Sequence, residues 1–320
     1  MNPLSGRRLL LAFLAMAMGQ GGAVYAQSAR TKAPPPVDVT LATKDGVQLK
    51  ATYYPSSAGP QAVPVVMLHD LHETRAVFAP LAQALQNPPT PENAAAPQML
   101  SRAVLTVDLR GHGGSKLARG ADGTSFELDS NRFQTADFQA MVDLDMEAVR
   151  SFLVEENDAG QLNLNSLGIV GSGMGANVAV LWTAKDWATP PLAVRKQGQD
   201  VKALALLSPR WNFNGLLLRD PLKFPPVQRQ LSVLLAYGAD DRNVAKDCQN
   251  IEQIFAKYHP EPPADQVQQR KDFFVYAPAT NLQGTKLLTS QAFGLGAKIV
   301  DFIESRLGSQ GFAYSIRKNP

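Results

Sequence analysis

The chain has 320 residues, with 31 Lys and Arg against 28 Asp and Glu and a formal net charge of +3. So even a balance gives no general electrostatic pull on nucleic acid or an anionic membrane. A single cysteine, Cys248, excludes an internal disulfide framework, so stability has to come from an apolar core, for which this length is ample.

The first residues carry Arg7 and Arg8, then the apolar run 9–18, then Val24-Tyr25-Ala26 before Gln27. A charged start, a short greasy segment and small residues at a cut site predict a secretory signal peptide over 1–26, too short to span a bilayer. Its cleavage leaves a net charge of +1 and no membrane anchor. The protein is therefore expected to be exported, to the periplasm or outside the cell. Residues 27–36 end in Pro34-Pro35-Pro36 and read as a linker, 37–308 as one domain, and 309–320 as a C-terminal tail.

Runs at 37–41 and 47–54, separated by Lys44-Asp45-Gly46, predict a β-hairpin. Buried strands are expected at 62–68, 103–107, 167–170, 201–207, 233–237 and 273–276, with helical periodicity between them. This alternation predicts an α/β fold: a mostly parallel sheet with helices on both faces. Phe138, Met141, Val142, Met146, Val149, Phe152 and Leu153 make one apolar stripe on a helix over 137–155. The closing helix is expected to run from a Ser290 cap to a stop at Gly308. Cys248 falls in a helix, where a buried apolar role is expected. Segments 87–98 and 117–134 read as surface loops, and 211–230 is too short to be more than a strap over the sheet.

The stretch Leu167-Gly168-Ile169-Val170-Gly171-Ser172-Gly173-Met174-Gly175 reads as a strand, a sharp glycine-lined turn and a helix start. It closely resembles the nucleophile elbow of the α/β-hydrolase superfamily (esterases, lipases, peptidases), whose motif is Gly-x-Ser-x-Gly. Gly171 and Gly175 fill the outer positions, and Gly173 stands where the serine belongs. Ser172 is a poor substitute. Shifting the motif back one residue would put Val170 and Met174 where close packing demands glycine.

The resemblance extends over nearly the whole chain after the export signal and implies an eight-stranded, mostly parallel sheet with a minimal cap or none. Val65-Val66-Met67-Leu68-His69-Asp70-Leu71 is similar to the strand that ends in His-Gly, and the oxyanion region would comprise His69, Asp70, Leu71 and Met174. Asp70 replaces the glycine. Asp108-Leu109-Arg110-Gly111-His112-Gly113-Gly114-Ser115 matches the exit of another central strand. Tyr237-Gly238-Ala239-Asp240-Asp241 resembles the acid-bearing end, with Asp241 as the triad acid or, failing that, as the cap of the following helix. The loop 277–287, where the family supplies its histidine, contains none. The four histidines are His69, His72, His112 and His259, the last expected near a helix end or at the surface.

Deleting one triad member from a serine hydrolase leaves about 10³ to 10⁴-fold acceleration over water. Two are missing here. The resemblance thus implies a catalytically silent, exported relative that binds a small molecule or a protein, with no cofactor. Two alternatives compete with it: an active hydrolase with a metal-assisted site at His69, His72 and His112, and an assembly role for the two surface loops.

Overall fold

The computed structural model describes residues 32–89, 98–120, 122–192 and 196–318. The expected signal peptide, part of the expected linker and most of the loop 87–98 lie outside them.

The elements follow in chain order. β1 (Val37–Ala42) and β2 (Gln48–Tyr54) form the hairpin, followed by β3 (Pro64–Leu68), α1 (Ala79–Gln86) and β4 (Ala103–Val107). A small pair, β5 (Leu117–Arg119) and β6 (Ser125–Glu127), precedes α2 (Thr135–Ala140) and α3 (Met146–Asp158). Next come β7 (Leu167–Ser172), α4 (Met174–Ala188), β8 (Val201–Leu207), a two-residue hairpin of β9 (Asn212–Phe213) and β10 (Leu216–Leu217), and α5 (Pro225–Arg229). The chain closes through β11 (Ser232–Ala236), α6 (Arg242–Ala256), α7 (Val267–Arg270), β12 (Phe273–Tyr276), α8 (Gly284–Thr289) and α9 (Leu295–Ile303).

Eight strands form one sheet in the order β1-β2-β4-β3-β7-β8-β11-β12. Pairing is antiparallel from β1 to β4 and parallel from there to β12. Alternation along each strand sorts its side chains to two faces. On β3, Val66 and Leu68 join Met141, Met146, Val149 and Phe255 under α2, α3, α4 and α6. Val65 and Met67 join Leu81, Ile299 and Phe302 under α1 and α9. Helices on both faces leave the central strands dry, which is why they read as unbroken apolar runs.

Several expectations need correcting. The helix expected over 137–155 starts earlier and is interrupted by a wide π turn at Met141–Asp145, which carries the fully buried Asp145. Arg110 donates to that carboxylate from Nε at 2.9 Å and from Nη2 at 2.7 Å, and reaches Asp45 of the hairpin turn at 2.8 Å. Ser290 does not cap the last helix: a 3-10 turn intervenes, and α9 begins after Gly294, which is left-handed with φ +57°. The segment 117–134, read as a plain loop, contains the β5–β6 pair.

The ends of the domain are also packed more closely than a linker and a tail would be. Ala33 is buried, and Gln86 Nε2 donates to the Pro34 carbonyl at 2.9 Å. Beyond Gly308 the chain docks on one asparagine between α3 and β7 and one at the end of α3: Asn163 Nδ2 donates to Phe312 O at 2.7 Å and Asn157 Nδ2 to Ser315 O at 3.0 Å. These are backbone groups seeking partners. Lys32 onward forms one compact unit.

Candidate active site

The elbow is built as its glycines require. A Cβ on Gly171 would lie 2.6 Å from Ala176 Cα, and one on Gly175 would strike the Leu68 carbonyl, so β7, α4 and β3 meet backbone to backbone. Gly173 sits at the tip with φ +47°. A Cβ there would overlap the carboxylate of Asp70.

That carboxylate comes from the end of β3 and reaches over the elbow. Its Oδ1 accepts the Leu71 N–H at 2.7 Å and the Met174 N–H at 2.8 Å. In this fold the oxyanion hole is made by the N–H after the nucleophile position and an N–H from the loop after the third strand. The Met174 N–H follows the elbow tip and the Leu71 N–H lies in the loop after β3, and both are spent here on one side-chain oxygen. Burial raises the Asp70 pKa, with a further push from nearby Glu73, against these two hydrogen bonds and the charge of Arg210. Glu73 braces the loop: its Oε2 accepts the Asp70 N–H at 3.1 Å, and its Oε1 accepts from the Thr285 hydroxyl at the start of α8.

Ser172 is fully buried and its Oγ has no hydrogen-bond partner. It lies under the backbone of Gly284, whose Cβ, if present, would be 2.5 Å from that oxygen. The loop where the family keeps its histidine is closed by Gln283. Its Oε1 accepts from Ser208 Oγ at 2.7 Å and from Gly238 N at 3.1 Å, and its Nε2 donates to Gly238 O at 2.8 Å. Ser208 Oγ in turn accepts the Gly284 N–H at 2.8 Å. An amide thus ties this loop to the Gly238 turn, and an amide does not exchange protons as an imidazole does.

Asp241 caps α6, its Oδ1 accepting the N–H groups of Asn243 and Val244 at 3.1 and 3.2 Å. The carboxylate is spent on the orphan amides of a helix start. His259 follows α6 but is not at the surface: its side chain is 1% exposed, with Nδ1 2.8 Å from Asp272. Cys248 is buried, its thiol pKa raised by burial.

The histidine trio does converge, with ring centroids 5.0 Å apart for His69 and His112 and 6.5 Å for His72 and His112. His69 has no nitrogen to offer a metal, because Nδ1 is bonded to Asp70 O at 2.7 Å and Nε2 accepts the Leu109 N–H at 3.1 Å. Burial depresses its pKa to about 4, so it is neutral at pH 7. His112 Nδ1 meets Arg110 O at 2.9 Å, while its Nε2 is buried without a partner. The neighbouring Asp108 is taken by the Arg75 side chain, the Arg75 N–H at 2.6 Å and the Gly114 N–H at 2.9 Å. Among the described residues no three His, Cys, Asp or Glu side chains form a metal-holding group.

Cavities of about 580 and 610 Å³ flank α9, the first beside the edge strand β12 and the second beside α1; neither is lined by Gly173, Ser172 or Asp70. Sequence reasoning found the positions of the elbow but missed Glu73, Ser208 and Gln283. It also missed the aim of the Asp70 side chain. The available signal was the pairing of a glycine at 173 with a carboxylate at 70, at positions that adjoin in this fold.

No protein-family model matches the chain, and no curated protein matches its sequence. Solved structures do match its fold. An esterase of Pyrococcus furiosus is 14% identical with a TM-score of 0.57, over 86% of this chain and 92% of that one. Dienelactone hydrolase of Anabaena variabilis is 13% identical with a TM-score of 0.55, over 86% and 99%. A peroxisomal α/β-hydrolase of Saccharomyces cerevisiae is 11% identical with a TM-score of 0.52, over 83% and 85%. With its strand order and elbow, the chain has the α/β-hydrolase fold.

Proposed function

We propose that this chain is an exported, non-hydrolytic protein of α/β-hydrolase fold that binds a small molecule or a protein partner. The observation that carries this reading is the Asp70 carboxylate on the N–H groups of Leu71 and Met174, over a tip with no hydroxyl. Catalysis of acyl transfer depends on leaving those donors to the transition state; removing one from a working site costs about 10² to 10³ in kcat. A filled hole, a glycine at the nucleophile position and an amide in the histidine loop all bear on the same reaction. The export half of the reading rests on Arg7, Arg8 and the apolar run that follows them.

The test is labelling with a fluorophosphonate probe beside an active hydrolase, together with ester hydrolysis by the same preparation. No labelling and no turnover above background are expected. Modification of Ser172, or hydrolysis abolished by one substitution in the crevice, overturns the reading. Mass analysis of the protein recovered from its expression host should give a chain starting at Gln27; a retained N-terminus removes the export half.

One observation favours a second reading, an active hydrolase with a non-standard centre: His112 Nε2 is buried and unpartnered beside His72, a non-glycine residue at φ +62°. Elemental analysis of protein purified without added metal decides this, since stoichiometric zinc would support it and metal-free protein would remove it.

A further inference from the structure

At the end of the sheet opposite the elbow, before β7 and β8, a cavity of about 250 Å³ is lined by Arg150, Val154, Lys196, Gln197, Arg317 and Lys318: four cations and no carboxylate. Behind it, fully buried Asp200 pairs with Arg317 at 2.8 Å, Arg150 at 3.2 Å and Lys196 at 3.4 Å. Asn165 Oδ1 accepts from Arg317 Nη2 at 2.6 Å and from Lys196 Nζ at 2.7 Å. Two further acids lie close by: Asp186 gives its Oδ2 to the N–H groups of Asp200 and Val201 at 2.7 and 3.1 Å, and Asp158 accepts the N–H groups of Arg317 and Lys318 at 2.8 Å each. At the rim, Lys318 meets Glu155 at 3.4 Å, both exposed.

Two observations make this a prepared site and not a solvated basic face. Arg317 is 4% exposed, yet its Nε and Nη1 reach no hydrogen-bond partner. Buried donors left in that condition are costly, and guanidinium groups suit multiply charged oxyanions. Three cations also converge on the single carboxylate of Asp200. Burial lowers the pKa of Lys196, with Arg317 adding to the shift, and lowers that of Lys202 to about 8, with Lys196 adding to it.

We propose that this cavity binds a phosphate group, free or as a phosphomonoester, through Arg317, Arg150 and Lys196. Cations converging on one cavity from three segments of the chain favour a dianion over a carboxylate. The site is independent of the elbow, so its test and the hydrolysis test can fail separately.

The purified full chain is titrated calorimetrically with inorganic phosphate, phenyl phosphate and acetate at constant ionic strength. Phosphate should bind once per chain with a Kd below about 1 mM, and acetate at least about tenfold more weakly. Tighter binding of phenyl phosphate than of phosphate marks an ester ligand, and the reverse marks free phosphate. Arg317→Gln disturbs the Asp200 cluster and risks the fold, so the partly exposed Lys196 and Arg150 carry the test. Lys196→Gln and Arg150→Gln should each weaken phosphate about tenfold. Phosphate should also raise the titration midpoint of Lys202, followed by NMR of ¹³C-methylated lysines. No saturable binding, or binding that both variants leave unchanged, marks an adventitious ion only and overturns the proposal.

Discussion

The Asp70 carboxylate occupies the space that a side chain on Gly173 would need. The two residues follow the neighbouring strands β3 and β7, and the Asp70 side chain excludes any Cβ at the position of Gly173. Gly173→Ser alone should destabilise the protein by about 1–3 kcal/mol through overpacking at a left-handed tip. Asp70→Gly alone strands the Leu71 and Met174 N–H groups. The double variant should be more stable than the sum of the two losses, with a coupling of about 0.5–3 kcal/mol. Urea unfolding of the four proteins measures it.

The acid position is separable from catalysis. Asp241→Ala should cost about 1 kcal/mol by uncapping α6, Asp241→Ser should recover most of it, and neither should alter any background ester hydrolysis. Thermal melts beside a hydrolysis assay distinguish this from a triad acid, whose loss would abolish turnover.

Stability should carry a signature of His69. Its folded pKa lies near 4, below the ordinary 6.5 of an unfolded histidine. The unfolded chain therefore takes up a proton first as pH falls, so the His69 contribution is complete above pH 6.5 and is lost between 6.5 and 4. Buried Asp186, raised to about 6 by burial and then by Asp200, acts in the opposite direction, favouring the folded state below its unfolded value of 3.8 and losing that advantage as pH rises through 6. The His69→Gln variant isolates the first effect: the gap between it and the parent should narrow on acidification from pH 7 to 4. A constant gap would contradict the assignment.

The buried pair of Arg110 and Asp145 should be costly to break. Arg110→Met leaves Asp145 fully buried and without its cation, for a loss of about 3–5 kcal/mol, whereas replacing both residues with apolar ones should cost much less. Denaturant midpoints of the single and double variants give the comparison.

How much of this could be read from the sequence depended on which force fixed each part. β8 begins and ends where its apolar run does, because a strand with nearly every residue buried admits little else; the edge strand β12 keeps its expected bounds although Val275 is exposed. The π turn at Met141–Asp145 left no trace, since Met141, Val142 and Met146 keep the same stripe through it. The docking of Phe312 and Ser315 was equally hidden, because it runs through main-chain carbonyls and asparagine amides. At the elbow the glycines were legible from sterics and the missing histidine from counting. That Asp70 would turn inward onto two amides was not, since a rotamer choice carries no signature in composition or spacing.

The Gln283 bridge between Ser208 and Gly238 constrains how this crevice could be redesigned. Building serine chemistry into this fold would take changes at several positions, and the order would matter. A serine introduced first at 173 collides with Asp70, a glycine introduced first at 70 leaves two amides bare, and an imidazole introduced first at 283 breaks the bridge holding its own loop. Taken singly, each of these changes costs stability, so they have to be made together.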